Sequence, residues 1–153
     1  MPFVDSSNYC RSDATLGYAA RMLLLDVCEP GCGYSDHDIP RDVWCELGMQ
    51  LEAFLAVNDA DLGTINDAFD AEQVARHWVG SRNGAGIGFW SLAVETGLTD
   101  AEREALTRLD RSAKSQGELR MYAGDDGELH LSWVDRPAAW AEAYDKALEA
   151  YGG

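Results

Sequence analysis

Outside its carboxylates, this chain carries few side chains able to do chemistry, and they are scattered. The sulfur and imidazole donors are Cys10, Cys28, Cys32 and Cys45 with His37, His77 and His130. Cys28-x-x-x-Cys32, His37 and Cys45, with Cys10 upstream, offer three or four zinc donors, but the spacing follows no standard zinc pattern. A C-x-x-C redox pair is absent, and Cys45 falls inside an expected helix, where it reads as packing. Ser81 and Ser91 lie near His77, yet no nucleophile elbow or comparable turn aims either one. His130 alternates with Leu129 and Leu131, so it faces outward with Arg120 or Tyr122. These sets give no catalytic signature, and the expectation is a protein without metal, cofactor or catalysis.

The segment Arg82-Asn83-Gly84-Ala85-Gly86-Ile87-Gly88-Phe89-Trp90 is the most distinctive stretch. Alternating glycines suggest a phosphate cradle. A dinucleotide fingerprint, however, needs a strand before the glycines and a helix after them. Here a helix precedes them and an aromatic pair follows, and no G-K-[ST] is present. Two readings stay open. In one, Asn83-Gly84 ends a helix and the glycines let Phe89 and Trp90 dock into the core. In the other, Arg82 and Asn83 contact a ligand, with Gly84, Gly86, Gly88, Phe89 and Trp90 shaping the loop and His77 nearby.

Charge is the strongest signal. Twenty-seven Asp and Glu face twelve Lys and Arg, a formal net charge of −15. Between Met22 and Ala75 there are twelve acids and one base, Arg41. Such a field repels nucleic acid and anionic membranes and attracts basic surfaces, including those that normally hold DNA or RNA. The expected partner-facing set is Asp36, Asp38, Asp42, Glu46, Glu52, Asp59 and Asp61. Asp42, Glu46 and, further on, Asp59 recur near i, i+4 spacing and can line one outer helix face. Duplex DNA carries one charge per roughly 1.7 Å, a density that carboxylates along a helix can approach. The plainer reading is a solvated face that keeps the protein soluble.

These residues need a scaffold, and the chain predicts an α+β one in a single domain, 1–153. Helical spacing is expected over 13–27 and from about 38–40 to 62. A third helix fits 70–82 and opens on an Asp70/Gln73 capping box. A fourth starts at Thr99 with Glu102, and a last one covers about 137–151. Leu119, Met121 and Ala123 alternate before Gly124-Asp125-Asp126-Gly127, and Leu129, Leu131 and Trp133 alternate after it, which predicts a hairpin over 118–134. Phe89-Trp90 suggests a third short strand near 87–91. The result is about five helices on a small antiparallel sheet. The five Trp fall mostly on helix or strand inner faces and read as core rather than as a base-stacking platform. Met1–Asp5 shows no basic region leading into an apolar run. The expected setting is cytoplasmic, with reduced thiols and no membrane partner.

The glycine segment also resembles a family of uncharacterised small acidic phage, prophage and plasmid proteins. In that family a helix ends in a motif close to T-R-N-G-H-G-A-G-F-W-D-R, and a strand further on ends in G-D-D-G. The match rests on Arg82, Asn83, Gly84, Gly86, Gly88, Phe89 and Trp90, then on Tyr122 and Gly124 to Gly127. Ala85 and Ser91 depart from the pattern where the family often has His and Asp. The resemblance implies a phage or mobile-element setting. By analogy with anti-CRISPR and anti-restriction proteins, the expected function is non-enzymatic inhibition of host defence. The partner would be a CRISPR effector or another host nucleic-acid-binding complex with a basic surface, blocked without direct binding of nucleic acid. A small enzyme or ligand binder using Arg82–Trp90, and an adaptor whose acidity serves only solubility, are the alternatives. The protein is expected to be a monomer or homodimer.

Overall fold

A computed structural model describes residues 13–27, 34–84, 86–133 and 137–152. Cys10, Cys28, Cys32 and Ala85 lie outside the described residues, as do the side chains of Asp26 and Asp36. Among the described residues, seven α-helices accompany one two-stranded antiparallel sheet.

Helix α1, Asp13–Val27, buries Leu16, Ala20, Leu23 and Leu24, which recur at helical spacing, together with Ala19, while Val27, the last residue of that spacing, is only partly buried. Helix α2, Arg41–Val57, is the centre of the molecule: every residue from Leu47 to Leu55 is buried. A helix covered on all sides is a core helix rather than a surface one. The pattern predicts that it runs on to residue 62, but it stops at Asn58. There the side chain folds back, Nδ2 donating to the Phe54 carbonyl at 2.9 Å and to Ser112 Oγ at 2.8 Å. A short helix α3, Asp59–Ile65, restarts beyond it.

Helix α4, Ala71–Asn83, opens on the expected box: Gln73 N donates to Asp70 Oδ1 at 2.9 Å and Asp70 N to Gln73 Oε1 at 3.1 Å. It ends at Gly84, whose φ of +62° is the left-handed conformation that glycine adopts without penalty. The strand expected near 87–91 does not form; Phe89–Leu92 is instead a single helical turn, α5. Ser91 explains the difference. Its Oγ accepts from Gly88 N at 3.2 Å and donates to the Gly88 carbonyl at 2.7 Å, curling the chain where a strand would extend it.

Helix α6, Asp100–Gln116, starts at Thr99 with its Glu102 box and buries Ala105, Leu106, Leu109 and Ala113, while Ala101 stays exposed. Strands β1, Leu119–Ala123, and β2, Leu129–Trp133, pair in the register Met121 opposite Leu131 and Tyr122 opposite His130. Helix α7, Ala141–Gly152, follows a one-turn lead-in at 138–140 and buries Trp140 and Tyr144 beneath it. Leu148, one helical turn beyond Tyr144, is exposed.

Packing is pairwise around α2. Helix α7 lies along α2, α1 along α4, and α6 against both α3 and α4, while β1 meets α1 and β2 meets α2. Phe54 of α2 joins the layers, stacking on Phe89 at 5.8 Å and meeting Trp78 at 6.1 Å. Among the described residues, no helix is long and apolar enough to cross a membrane.

Candidate functional site

The glycine segment is a junction. Arg82, on the last turn of α4, is 5% exposed. Its Nε donates to the Gly117 carbonyl at 2.6 Å, Nη1 to Gln50 Oε1 at 2.7 Å and Nη2 to the Gln116 carbonyl at 3.2 Å. The guanidinium lies over the Trp78 ring at 5.3 Å. None of these partners is a carboxylate. The charge is met by carbonyls at the C-terminus of α6, the negative end of its dipole. Burial lowers the Arg82 pKa to about 10, which leaves it protonated at neutral pH.

Gln116 extends the network inward. Its Oε1 accepts from Trp78 Nε1 at 2.8 Å, and its Nε2 donates to the Gln50 carbonyl at 3.0 Å and to the Tyr144 hydroxyl oxygen at 3.1 Å. One buried polar cluster thus ties α2, α4, α6 and α7 together. Asn83 adds β1 by bonding both edges of the Leu119 peptide unit. Ser81 adds α5: its Oγ donates to Asp110 Oδ1 at 2.9 Å and accepts from Phe89 N at 2.9 Å. Gly88 passes so close that a Cβ there would lie 2.6 Å from Ser81 Oγ.

The sequence therefore brings Arg82, Asn83, Gly84, Gly88 and Phe89 to one place, with the three nitrogens of the Arg82 guanidinium and the amide of Asn83 committed to the protein itself. Gly86 and Trp90 face outward, Trp90 at 45% exposure. Half-buried His77 bonds the Gln73 carbonyl through Nδ1 at 2.6 Å and sits against Phe89. Desolvation lowers its pKa, against the opposing effect of that bond. Ser81 turns to Asp110 and not to His77, so these two side chains do not pair. Gln50, Asp110, Gln116 and Tyr144 complete the junction without having been anticipated. Gln50 carried a signal: it is a lone amide inside the apolar run Met49-Gln50-Leu51, where a polar side chain needs a buried partner.

The acidic set is dispersed, and the outer face expected along α2 does not form. Glu52 is 7% exposed and lines the hollow between α2 and α7. Glu46 is half-buried and accepts from Trp133 Nε1 at 3.3 Å. Asp61 is bound by Arg108 of α6, with Nη2 to Oδ1 at 2.8 Å and Nε shared between both oxygens at 3.1 Å. Asp38, Asp42 and Asp59 remain exposed. Asp38 caps its own turn, accepting from Ser35 N at 2.8 Å. Asp42 and Asp59 flank α2 at its two ends, about 25 Å apart at 1.5 Å per residue. The middle of α2 cannot carry charge outward because neighbouring elements cover it.

In sequence, the exposed carboxylates of this block fall at Asp38 and Asp42, before and at the start of α2, and at Asp59, Asp67 and Asp70, after its end, while others such as Glu104, Glu118 and Glu128 are exposed elsewhere. Many cations elsewhere are held by acids of their own: Arg76 by Glu72, Arg103 by Asp100, Lys114 by Asp110, Arg120 by Glu118 and Lys146 by Glu142. The hollow between α2 and α7 has a volume of about 530 Å³ and is lined largely by alanines. Among the described residues, no three His, Cys, Asp or Glu side chains gather as a metal site. Comparison of the chain with protein-family models, curated proteins and solved structures finds no match.

Proposed function

We propose that this protein is a non-enzymatic inhibitor that binds a basic, nucleic-acid-binding surface of a host defence complex of the CRISPR effector type, and excludes target DNA from it. One observation carries the reading. Residues 34–73 present exposed Asp38, Asp42, Asp59, Asp67 and Asp70 against a single arginine, Arg41. They fall before and after the buried stretch of α2, so no continuous row of carboxylates runs along that helix. The resemblance of Arg82–Trp90 to phage and plasmid proteins supplies the setting. The ligand-binding alternative draws less support, because Arg82 and Asn83 already spend their donors inside the fold.

The test is capture of a purified CRISPR effector complex on the immobilised protein, at about 50 and about 500 mM salt, with and without target duplex. Charge-driven contacts weaken steeply over that range. Retention lost at high salt, competed by target DNA and weakened in Asp42→Asn/Asp59→Asn/Asp67→Asn supports the proposal. Retention indifferent to salt, to DNA and to the triple variant would sink it, as would no retention by any effector type tried.

A further inference from the structure

Asparagine is a labile residue, and most so when glycine follows it. The backbone nitrogen of the next residue attacks the side-chain carbonyl carbon, and glycine, lacking a Cβ, leaves that approach open. Of the four asparagines, Asn8, Asn58, Asn66 and Asn83, only Asn83 precedes a glycine. Gly84 is exposed, and a Cβ built there would meet nothing within 4 Å. Crowding therefore does not protect this pair; hydrogen bonds do. Asn83 closes helix α4, and the nitrogen that would attack, Gly84 N, donates to the Gly80 carbonyl. The amide under attack is held from both sides: Nδ2 donates to the Leu119 carbonyl at 2.6 Å, and Oδ1 accepts from Leu119 N at 2.8 Å. Buried Arg82 ties the same turn to the Gly117 and Gln116 carbonyls.

We propose that Asn83–Gly84 is a modification site gated by folding: the amide is stable while the junction between α4 and β1 is closed, and it deamidates when that junction opens. In the open chain Gly84 N gives up its proton to solvent and bonds to Asn83 Cγ. The Cγ–Nδ2 bond breaks, and Nδ2 leaves as ammonia. Water then opens the cyclic imide at either carbonyl, giving aspartate or isoaspartate at position 83. Water enters and ammonia leaves, so the step needs neither oxidant nor reductant. The product cannot rebuild the clamp. Aspartate sets an oxygen against the Leu119 carbonyl where Nδ2 had donated, and isoaspartate adds a carbon to the main chain at the last turn of α4. A chain that has reacted therefore closes less well than one that has not, and the site turns a reversible local opening into a permanent one.

Peptide mass spectrometry of residue 83, with released ammonia as a second readout, follows the whole chain at neutral pH in buffer and in a urea series. It needs no host partner, so it stands apart from the function proposed above. Conversion should be at least about a hundredfold slower in buffer than in denaturing urea, because only the open fraction reacts. It should already accelerate in urea too dilute to unfold the chain. Arg82→Lys, which loosens the same turn, should convert faster than wild type in buffer and at the wild-type rate in denaturing urea. Gly84→Ala should be several-fold slower than wild type in urea, because its methyl hinders the attacking nitrogen. Should Arg82→Lys not fold, the wild-type urea series decides alone. Equal rates in buffer and urea, Asn83 intact in urea while Asn58 or Asn66 converts, or a folded Arg82→Lys no faster than wild type would each overturn the proposal.

Discussion

Asn83 holds Leu119 by both edges of one peptide unit. Asn83 Nδ2 donates to the Leu119 carbonyl at 2.6 Å, and Leu119 N donates to Asn83 Oδ1 at 2.8 Å. The side-chain amide acts as a one-residue strand that joins the end of α4 to the start of the hairpin. Asn83→Asp keeps the shape and replaces the donor with an oxygen facing an oxygen. It should cost about 2–4 kcal/mol, and Asn83→Ala about 1–3. Urea unfolding measures both. Hydrogen exchange should show Leu119–Ala123 losing protection before α6 does.

Arg82 lends itself to a sharper comparison. Lys keeps the charge but cannot present a planar fork to the Gln50, Gln116 and Gly117 oxygens. Arg82→Met and Arg82→Lys should both destabilise by about 3–5 kcal/mol, since each strands buried acceptors. A lysine variant within about 1 kcal/mol of wild type in chemical denaturation would show that charge, and not the fork, is what the junction needs.

Two glycines in the same segment should fail for different reasons. Gly88→Ala places a methyl 2.6 Å from Ser81 Oγ and 2.8 Å from the Trp90 ring, and should cost about 1–3 kcal/mol through overpacking. Gly84→Ala meets nothing within 4 Å but must hold a φ of +62°, for about 1–2 kcal/mol. The two are separable by pairing Gly88→Ala with Ser81→Ala. Removing the crowded hydroxyl should recover part of the first loss and none of the second.

His77 predicts a pH effect. Desolvation holds its folded-state pKa below the unfolded value of 6.5, so the unfolded chain binds the extra proton first as pH falls. The stability tied to neutral His77 is present above about pH 6.5 and lost as pH drops toward the folded pKa. Asp126 acts lower. The Glu128 backbone N–H, and then His130, hold its carboxyl below the usual value, so its contribution is lost only under more acidic conditions. Between about pH 7.5 and about pH 5, the Tm of His77→Phe should fall less, or rise more, than that of wild type. Parallel Tm curves for the two proteins would refute the assignment.

Much of this architecture was legible in local pattern. The Asp70/Gln73 and Thr99/Glu102 boxes, the left-handed stop at Gly84 and the hairpin register about Asp125-Asp126 depend on groups within about four residues of one another, and the chain alone predicts them. Asn58 and Ser91 were harder. Each uses its own side chain to turn the backbone, one toward Phe54 and Ser112, the other around Gly88, and these bonds override the periodicity that read a longer helix and a third strand.

The candidate surface divides the same way. Composition and order alone determine that this protein is strongly acidic, that the acids crowd into residues 26–72, and that helices and one hairpin must cover its core. Only the tertiary structure decides which carboxylates meet water. Glu52 lies under α7 and Glu46 under Trp133, partners more than eighty residues away, while Asp61 is taken by Arg108. Helical spacing specifies which side of α2 a residue occupies, but exposure belongs to whatever packs against that side, and contacts between distant segments form only when the whole core closes.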